Sequence, residues 1–460
     1  MYALNSENNA ITQLACISPI DGRYYNKTKE LRPYFSEYGF FSYRLNVEIS
    51  YLYHLLLMLM SKSYIEPGNI LDIKKIATEF SMEECVKIKN IEKTINHDVK
   101  AIEYYIRSKM DELKLSQYNS FIHFGLTSQD INNTALPLMI KGAIENTYNP
   151  SIVSVMNKLN KKIAEWKDIV IISKTHGQPA TPTTFGKELR VYTYRLQKQL
   201  DMLNGISYYG KMGGATGNLN AHICAYPNVD WRGFMEMFLK SFNILHNKYT
   251  TQIDNYENLS TIFDNLKRIN SILIDLCQDM WLYISYEYLK LSINKDEVGS
   301  STMPHKVNPI NFENAEGNLM MANALFEFLS RKLPVSRLQR DLTDSTVIRN
   351  IGTAFGHTLI GLENVQTGLT KITINNTAID LDKSKHQVVL IEGIQTILRK
   401  HGYADAYEKC KGFSRKHENL NILDLEDFIS KLEIKEGVKK ELESMLDVNK
   451  YIGNAGTCCD

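Results

Sequence analysis

Six short stretches of the chain gather residue types able to do chemistry. The densest is Gly299-Ser300-Ser301-Thr302-Met303-Pro304-His305-Lys306-Val307-Asn308-Pro309. Two prolines and a glycine keep it out of a regular helix, on backbone that carries hydroxyls, an imidazole, an ammonium and an amide. A plain helix connection of that length, without a task, is uncommon. In Lys174-Thr175-His176-Gly177-Gln178-Pro179-Ala180-Thr181-Pro182, His176 falls at a Gly/Pro-marked turn between two helical runs, a setting that suits an acid or base. In Gly125-Leu126-Thr127-Ser128-Gln129-Asp130-Ile131-Asn132-Asn133, Thr127 or Ser128 caps the helix that follows. Free N–H groups at that end also favour an anion, although capping alone accounts for the hydroxyls. Asn96-His97-Asp98 lies within a helical run and by itself reads as a surface pair. Asp21-Gly22-Arg23-Tyr24 is the fifth stretch. The sixth, Arg337 to Asn350, holds Arg337, Arg340 and Arg349 with Ser345 and Thr346. Fork-shaped guanidinium donors beside neutral hydroxyls suit a phosphate; a solvated helix face is the bland alternative.

The elements that must position these stretches are helices. Only 11 Pro and 25 Gly punctuate 460 residues, and long windows lack both. From Ser81 to Met110, Ile88, Ile91, Ile95, Val99 and Ile102 recur at three- and four-residue steps, and Ser81 with Glu84 resembles a capping box. A run from about Thr251 to Leu291 repeats Ile262, Leu266, Ile269, Leu273, Leu276 and Met280 on one stripe. At ~1.5 Å per residue, such a helix would approach 60 Å. A stripe that long on a lone chain has too little to bury against, which predicts a bundle shared between subunits. Further runs are expected over about Ser151–Asp168, after a break at Pro150, and about Thr183–Leu203. Sustained period-2 alternation is absent. The pattern predicts a mostly α fold with a long-helix bundle in the middle. An all-α chain of three helical domains, 1–116, 117–369 and 370–460, is expected, the central one carrying the Gly299–Pro309 loop.

Composition narrows the function classes. Lys+Arg is 53 and Asp+Glu 52, a net charge of +1 that argues against a general nucleic-acid binder. No run nears the ~18 apolar residues of a membrane helix, and the densest, Leu55 to Met60, reads as buried helix. The first residues lack a basic region followed by an apolar core, so no secretory leader is expected. Seven scattered Cys without Cys-x-x-Cys suit a reducing, cytoplasmic setting, with Cys458 and Cys459 read as a frayed tail. Zinc spacings, a Walker loop and Gly-x-Gly-x-x-Gly are missing, and no cofactor or metal is expected.

The Gly299–Pro309 loop resembles the GSSxMPxKxNP signature of the fumarase/aspartase superfamily, mostly α-helical homotetramers that eliminate or add across fumarate. THGQPATP around His176, TSQDINN after Leu126, DGRY near the N-terminus and RDLTDSTVIRN from Arg340 are similar to the adenylosuccinate lyases. HKVNP, TINHDVKA and SEYGFF are similar to their longer bacterial branch. The likeness runs from about Ser18 to Gly453. It implies β-elimination of fumarate from succinyl-AMP, giving AMP, and from the succinylated aminoimidazole carboxamide ribotide SAICAR, giving AICAR. It further implies Ser300 as base (Ser301 the runner-up), His176 as acid, and Lys306 and Asn308 as stabilisers of the aci-carboxylate. By the same matching Arg23, Tyr24, Arg340, Ser345 and Arg349 hold the nucleotide, with Thr346 beside them. Thr127, Ser128, Gln252 and Lys306 hold the succinyl carboxylates, while Asn96, His97 and Asp98 line the site. Gln129 stands where Glu is common in this family. Argininosuccinate lyase or fumarase is disfavoured by the arginine-rich stretch and the THGQPATP form. A catalytically dead scaffold is disfavoured by the presence of Ser300, His176 and Lys306.

Overall fold

The computed structural model describes residues 13–292, 303, 306–415 and 420–457. Ser300, Ser301, His305, Cys458 and Cys459 lie outside them. Helix α1 (Glu37–Ser61) starts where Ser36 accepts the Gly39 N–H at 3.0 Å. It buries Leu55, Leu56 and Leu59 completely, as the apolar run there predicts. Next come α2 (Met82–Ile95) and α3 (Asp98–Glu112). Helix α4 (Ser128–Ala143) passes through π-helical turns at Ile144–Tyr148 into α5 (Asn149–Trp166). Strands β1 (Val170–Thr175) and β2 (Gln178–Thr184) form a hairpin ahead of α6 (Phe185–Asn204). They are followed by α7 (Trp231–Lys240), α8 (Glu257–Ser285), α9 (Ile310–Lys332), the short α10 (Thr343–Val347) and α11 (Ile351–Lys371). The chain closes with α12 (Asn376–Lys385), α13 (Ile391–Lys400), α14 (Ala406–Ser414), α15 (Ile422–Ser430) and α16 (Glu436–Ser444).

The chain is predominantly helical, as its periodicity predicts, and differs in five places. The run from Ser81 to Met110 is two helices. Asn96 takes the left-handed conformation at φ 54°, which Asn tolerates, and ends α2; His97 then caps α3. The expected break at Pro150 is absent. Proline cannot donate to the residue four back, and the π turns just ahead of it absorb that mismatch without ending the helix. Helix α8 begins at Glu257, because Asp254 accepts the Tyr256 N–H at 2.8 Å in the turn before it. It ends at Ser285, and Leu289–Leu291 pairs as a strand with Ile372–Ile374. The fourth difference is the β1–β2 hairpin, whose Gly and Pro content reads in sequence as a bare turn. At Ser81, finally, only half of a capping box forms: its Oγ accepts the Glu84 N–H at 3.4 Å, while Glu84 turns to Lys87 and Tyr105.

Two compact units emerge, each discontinuous in sequence: Met1–Ile152, Gln199–Ser271 and Gly317–Leu362 form the first, and Val153–Lys198, Ile272–Glu316 and Glu363–Asp460 the second. In the first unit one core joins α1, α2 and α3 through Leu45, Leu52, Ile88, Ile102 and Ile106, and another joins α1, α4 and α7 through Tyr51, Ile131 and Phe238. In the second, α13 to α16 close around Ile394, Leu425, Ile429 and Leu442, with Ile172 of β1 built into that core. Full burial of one such Leu or Ile contributes ~1.5–3 kcal/mol. The predicted stripe of α8, Ile262 to Met280, is fully buried within the chain itself. A partner subunit is therefore not needed to cover it. The exposed apolar residues lie elsewhere, among them Trp281 on α8, Met320, Met321 and Phe328 on α9, and Tyr194 on α6.

Candidate active site

The break between α2 and α3 places three side chains at a cavity of about 410 Å³ in the first unit, lined by Asn96, His97, Asp98, Ser128, Arg340, Ser345, Thr346 and Arg349. The spot that reads as mid-helix in the sequence is thus a helix junction. His97 accepts the Lys100 N–H at Nδ1 (3.1 Å), which leaves the proton of its neutral ring on Nε2. Asp98 opens α3. Burial pushes its carboxyl up, but Arg44, the Val99 N–H, Arg349 and His97 overcome that and hold it below the usual carboxylate range.

Arg44, Glu92 and Asn132 also line the cavity, and the sequence reading does not single them out. Arg44 is 2% exposed on α1; its Nη1 lies 2.9 Å from Asp98 Oδ2, and its Nε donates to Asn132 Oδ1 at 2.7 Å. Its guanidinium stacks 3.7 Å above the Phe40 ring. Burial lowers its pKa to about 10, against the pull of Asp98, so it stays charged at neutral pH. The only sequence signal was an arginine on the apolar face of a long helix. Asn132 sits inside the matched TSQDINN stretch.

Arg340, in the same lining, donates from Nη1 to Gln252 Oε1 at 3.2 Å and from Nη2 to Ser345 Oγ at 3.0 Å. Its Nε is buried without a hydrogen-bond partner among the described residues. Arg349 reaches Glu37 (3.1 Å) and Asp98 (3.4 Å) and lines two smaller neighbouring cavities as well. On α10, the buried Asp344 is fixed by Tyr256, whose hydroxyl donates to Asp344 Oδ2 at 3.0 Å and accepts from Asn133 Nδ2 at 2.6 Å. Gln252 donates to the Ala215 carbonyl at 3.1 Å, on a glycine-rich loop. That loop is built around Asp130, which accepts from Lys211 Nζ (2.7 Å), the Gly213 N–H (2.8 Å) and the Thr127 N–H (2.8 Å). Gly217 has φ +83°, and a Cβ there would stand 2.2 Å from the Thr250 carbonyl oxygen, so only glycine lets the irregular segment Thr250–Gln252 approach. Thr127 is the cap residue of α4, as its sequence suggests, and Ser128 follows in the first turn with its face to the cavity.

Other predicted residues lie elsewhere. Arg23 and Tyr24 belong to the first unit but not to this lining. His176, Lys306 and Asn308 belong to the second unit, and Ser300 falls outside the described residues. His176 and Gly177 have φ 52° and 74°, both left-handed, the pair that a two-residue hairpin turn requires. A histidine so held stores strain of order ~1 kcal/mol, a cost that recurs at functional sites. From Thr175 to Gln178 the tip is exposed. His123, just ahead of the Gly125–Asn133 stretch, is committed to a buried pair: its Nδ1 lies 2.5 Å from Glu48 Oε1.

Comparisons with known proteins give the fold and the family. A solved fumarate lyase from Mesorhizobium sp. BNC1 superposes with a TM-score of 0.74 at 16% identity, covering 94% of this chain and 96% of that one. The fold is that of the fumarate lyases. Residues 22–324 match the family described as Lyase, and residues 336–452 the one described as Adenylosuccinate lyase C-terminal. The adenylosuccinate lyase of Dictyostelium discoideum is 47% identical over 461 residues, covering 97% of this chain and 98% of that protein. That of Escherichia coli K12 is 43% identical over 456 residues, covering 98% and 99%. The chain belongs to the adenylosuccinate lyase family.

Proposed function

We propose that the protein eliminates fumarate from succinyl-AMP, releasing AMP, and from SAICAR, releasing AICAR, in purine nucleotide synthesis. The observation that carries this reading is the cavity where Arg340 and Arg349, with Ser345 and Thr346, face His97, Asp98 and Ser128. Guanidinium forks and hydroxyls suit a nucleotide phosphate, and the unpartnered Arg340 Nε is a donor awaiting an acceptor. The N-terminal turn of α4, with Thr127 and Ser128, and the amide of Gln252 suit the succinyl carboxylates.

In the elimination, the Ser300 alkoxide takes the proton from the carbon next to a carboxylate. The electron pair becomes the new C=C bond as the C–N bond breaks, and His176 protonates the departing nitrogen. Lys306 and Asn308 stabilise the extra negative charge on the carboxylate in the intermediate. Serine serves as a base only where loop amides and Lys306 stabilise its alkoxide and water is excluded from the site.

The exposed hairpin tip supports a site shared between subunits, because an acid in open water has neither a fixed donor geometry nor a dry site. We assign the assembly as a cytoplasmic homotetramer, with helical domains at 1–116, 117–369 and 370–460, and the exposed apolar residues of α6, α8 and α9 as its contact surface. Among the described residues no helix is long and apolar enough to cross a membrane. The test is spectrophotometric: purified protein should convert succinyl-AMP to equal amounts of AMP and fumarate. Absence of turnover at micromolar enzyme would overturn the reading.

A further inference from the structure

The hairpin that carries His176 has a weak ladder. Its register shifts between Ile172 and Lys174, and beyond that point Lys174 pairs with Pro179. The shift interrupts the ladder between its base and its tip. A β-bulge also bends and twists its strand. The base is held, since Ile172 is part of the core formed by α13 to α16. The backbone alone therefore leaves the aim of the last few residues loosely determined.

Side chains supply what the ladder lacks. Lys174, two residues before His176, places its Nζ at 3.0 Å and 3.3 Å from the two carboxylate oxygens of Asp382 on α12. Asp382 is itself fixed: it accepts the Tyr288 hydroxyl, and His386 Nδ1 lies 3.2 Å away. Tyr288, Lys174 and His386 are the polar and charged groups that face it. On the other strand, Thr181 donates to Glu392 Oε2 at 3.0 Å, and Tyr451 donates to the same oxygen at 2.9 Å. Thr181 is exposed, while Lys174 and Asp382 are largely covered, at 18% and 20% side-chain exposure. The Lys174–Asp382 pair is the firmer anchor.

We infer that Asp382 is a positioning residue for the reaction: by gripping Lys174 it sets the direction in which the hairpin presents His176. This rests on the reading of His176 as the acid. Asp382 touches no reacting atom and acts only through the hairpin.

The experiment is a double-mutant cycle on the full-length enzyme with succinyl-AMP. Asp382→Asn keeps shape and loses the charge. It should lower kcat by ~10–100-fold with KM within about threefold, since a shift of ~1 Å in a reacting group can cost that much. Lys174→Gln should reproduce the loss, and Lys174→Arg should recover part of it. In a His176→Ala background Asp382→Asn should change kcat less than about twofold. If Asp382→Asn kept wild-type kcat, or cut it by the same factor with and without His176, the positioning role would be wrong while the acid could stand. If His176→Ala kept wild-type turnover, the acid assignment would fall and the positioning role with it. Should Asp382→Asn fail to fold, the Lys174 pair decides in the same way.

Discussion

His97 is bound to the protein on one edge of its ring and turned to the cavity on the other. Its neighbours Asn96 and Asp98 earn their place by the same junction, and the residue types at the cavity were legible because they fall in stretches whose chemistry reads directly: arginines with hydroxyls, and hydroxyls ahead of a helix. Arg44, Glu92 and Asn132 were not legible, since nothing local says that a helix-borne arginine will be buried beneath a carboxylate from another helix. For the proton-transfer pair, Ser300→Ala and His176→Ala should each lower turnover by at least ~10²-fold with substrate still bound, as general acid–base groups do. Lys306→Ala should raise KM as well as lower turnover, because its charge meets ground state and transition state alike. Steady-state kinetics on the three variants separates these outcomes. Wild-type turnover in Ser300→Ala would move the base to Ser301; in His176→Ala it would make His97 the leading acid. His123 becomes a weak successor, given its pairing with Glu48.

At the scale of elements, the buried stripe of α8 was read correctly, although the helix is shorter than its Gly- and Pro-free window; a run was misread where one residue interrupts it. Asn96 is such an interruption: the isoleucine spacing continues across it, yet its left-handed backbone turns one helix into two. Asn96→Gly should leave the denaturant midpoint nearly unchanged, whereas Asn96→Val should destabilise by ~1–2 kcal/mol, because a β-branched residue resists that conformation. Equal midpoints would remove the argument from backbone strain. The hairpin was missed for the opposite reason: its prolines hide the strand pattern, and its pairing is fixed by contacts remote in sequence, with Asp382, Glu392 and Ala455. A second element-level test concerns α1 and the turn before α4. Burial lowers the His123 pKa, but Glu48 outweighs it and raises the value to about 9, above the ~6.5 of an unfolded chain. The pair therefore stabilises fully below pH ~6.5, and that stability fades as pH rises through about 9. The melting-temperature gap between wild type and His123→Gln should be large at pH 6 and shrink by pH 9.5. A gap that did not change with pH would contradict the pairing.

For the whole molecule, helical content and the family were readable from the sequence, while the division into two discontinuous units was not, because it depends on which stretches of the long helices pack together. The α8 stripe is buried within one chain, so the case for assembly rests instead on the exposed apolar residues of α6, α8 and α9 and on the bare tip at His176. Light scattering at micromolar concentration should give about four times the monomer mass of 52.8 kDa; a monomer would contradict the assembly. The most direct measurement mixes two inactive proteins, His176→Ala and Ser300→Ala, under conditions of proven subunit exchange, and follows fumarate release from succinyl-AMP. If each site draws these residues from different subunits, the mixture should recover up to roughly a quarter of wild-type activity, the chance that a randomly assembled site receives both intact. No recovery despite exchange would contradict shared sites.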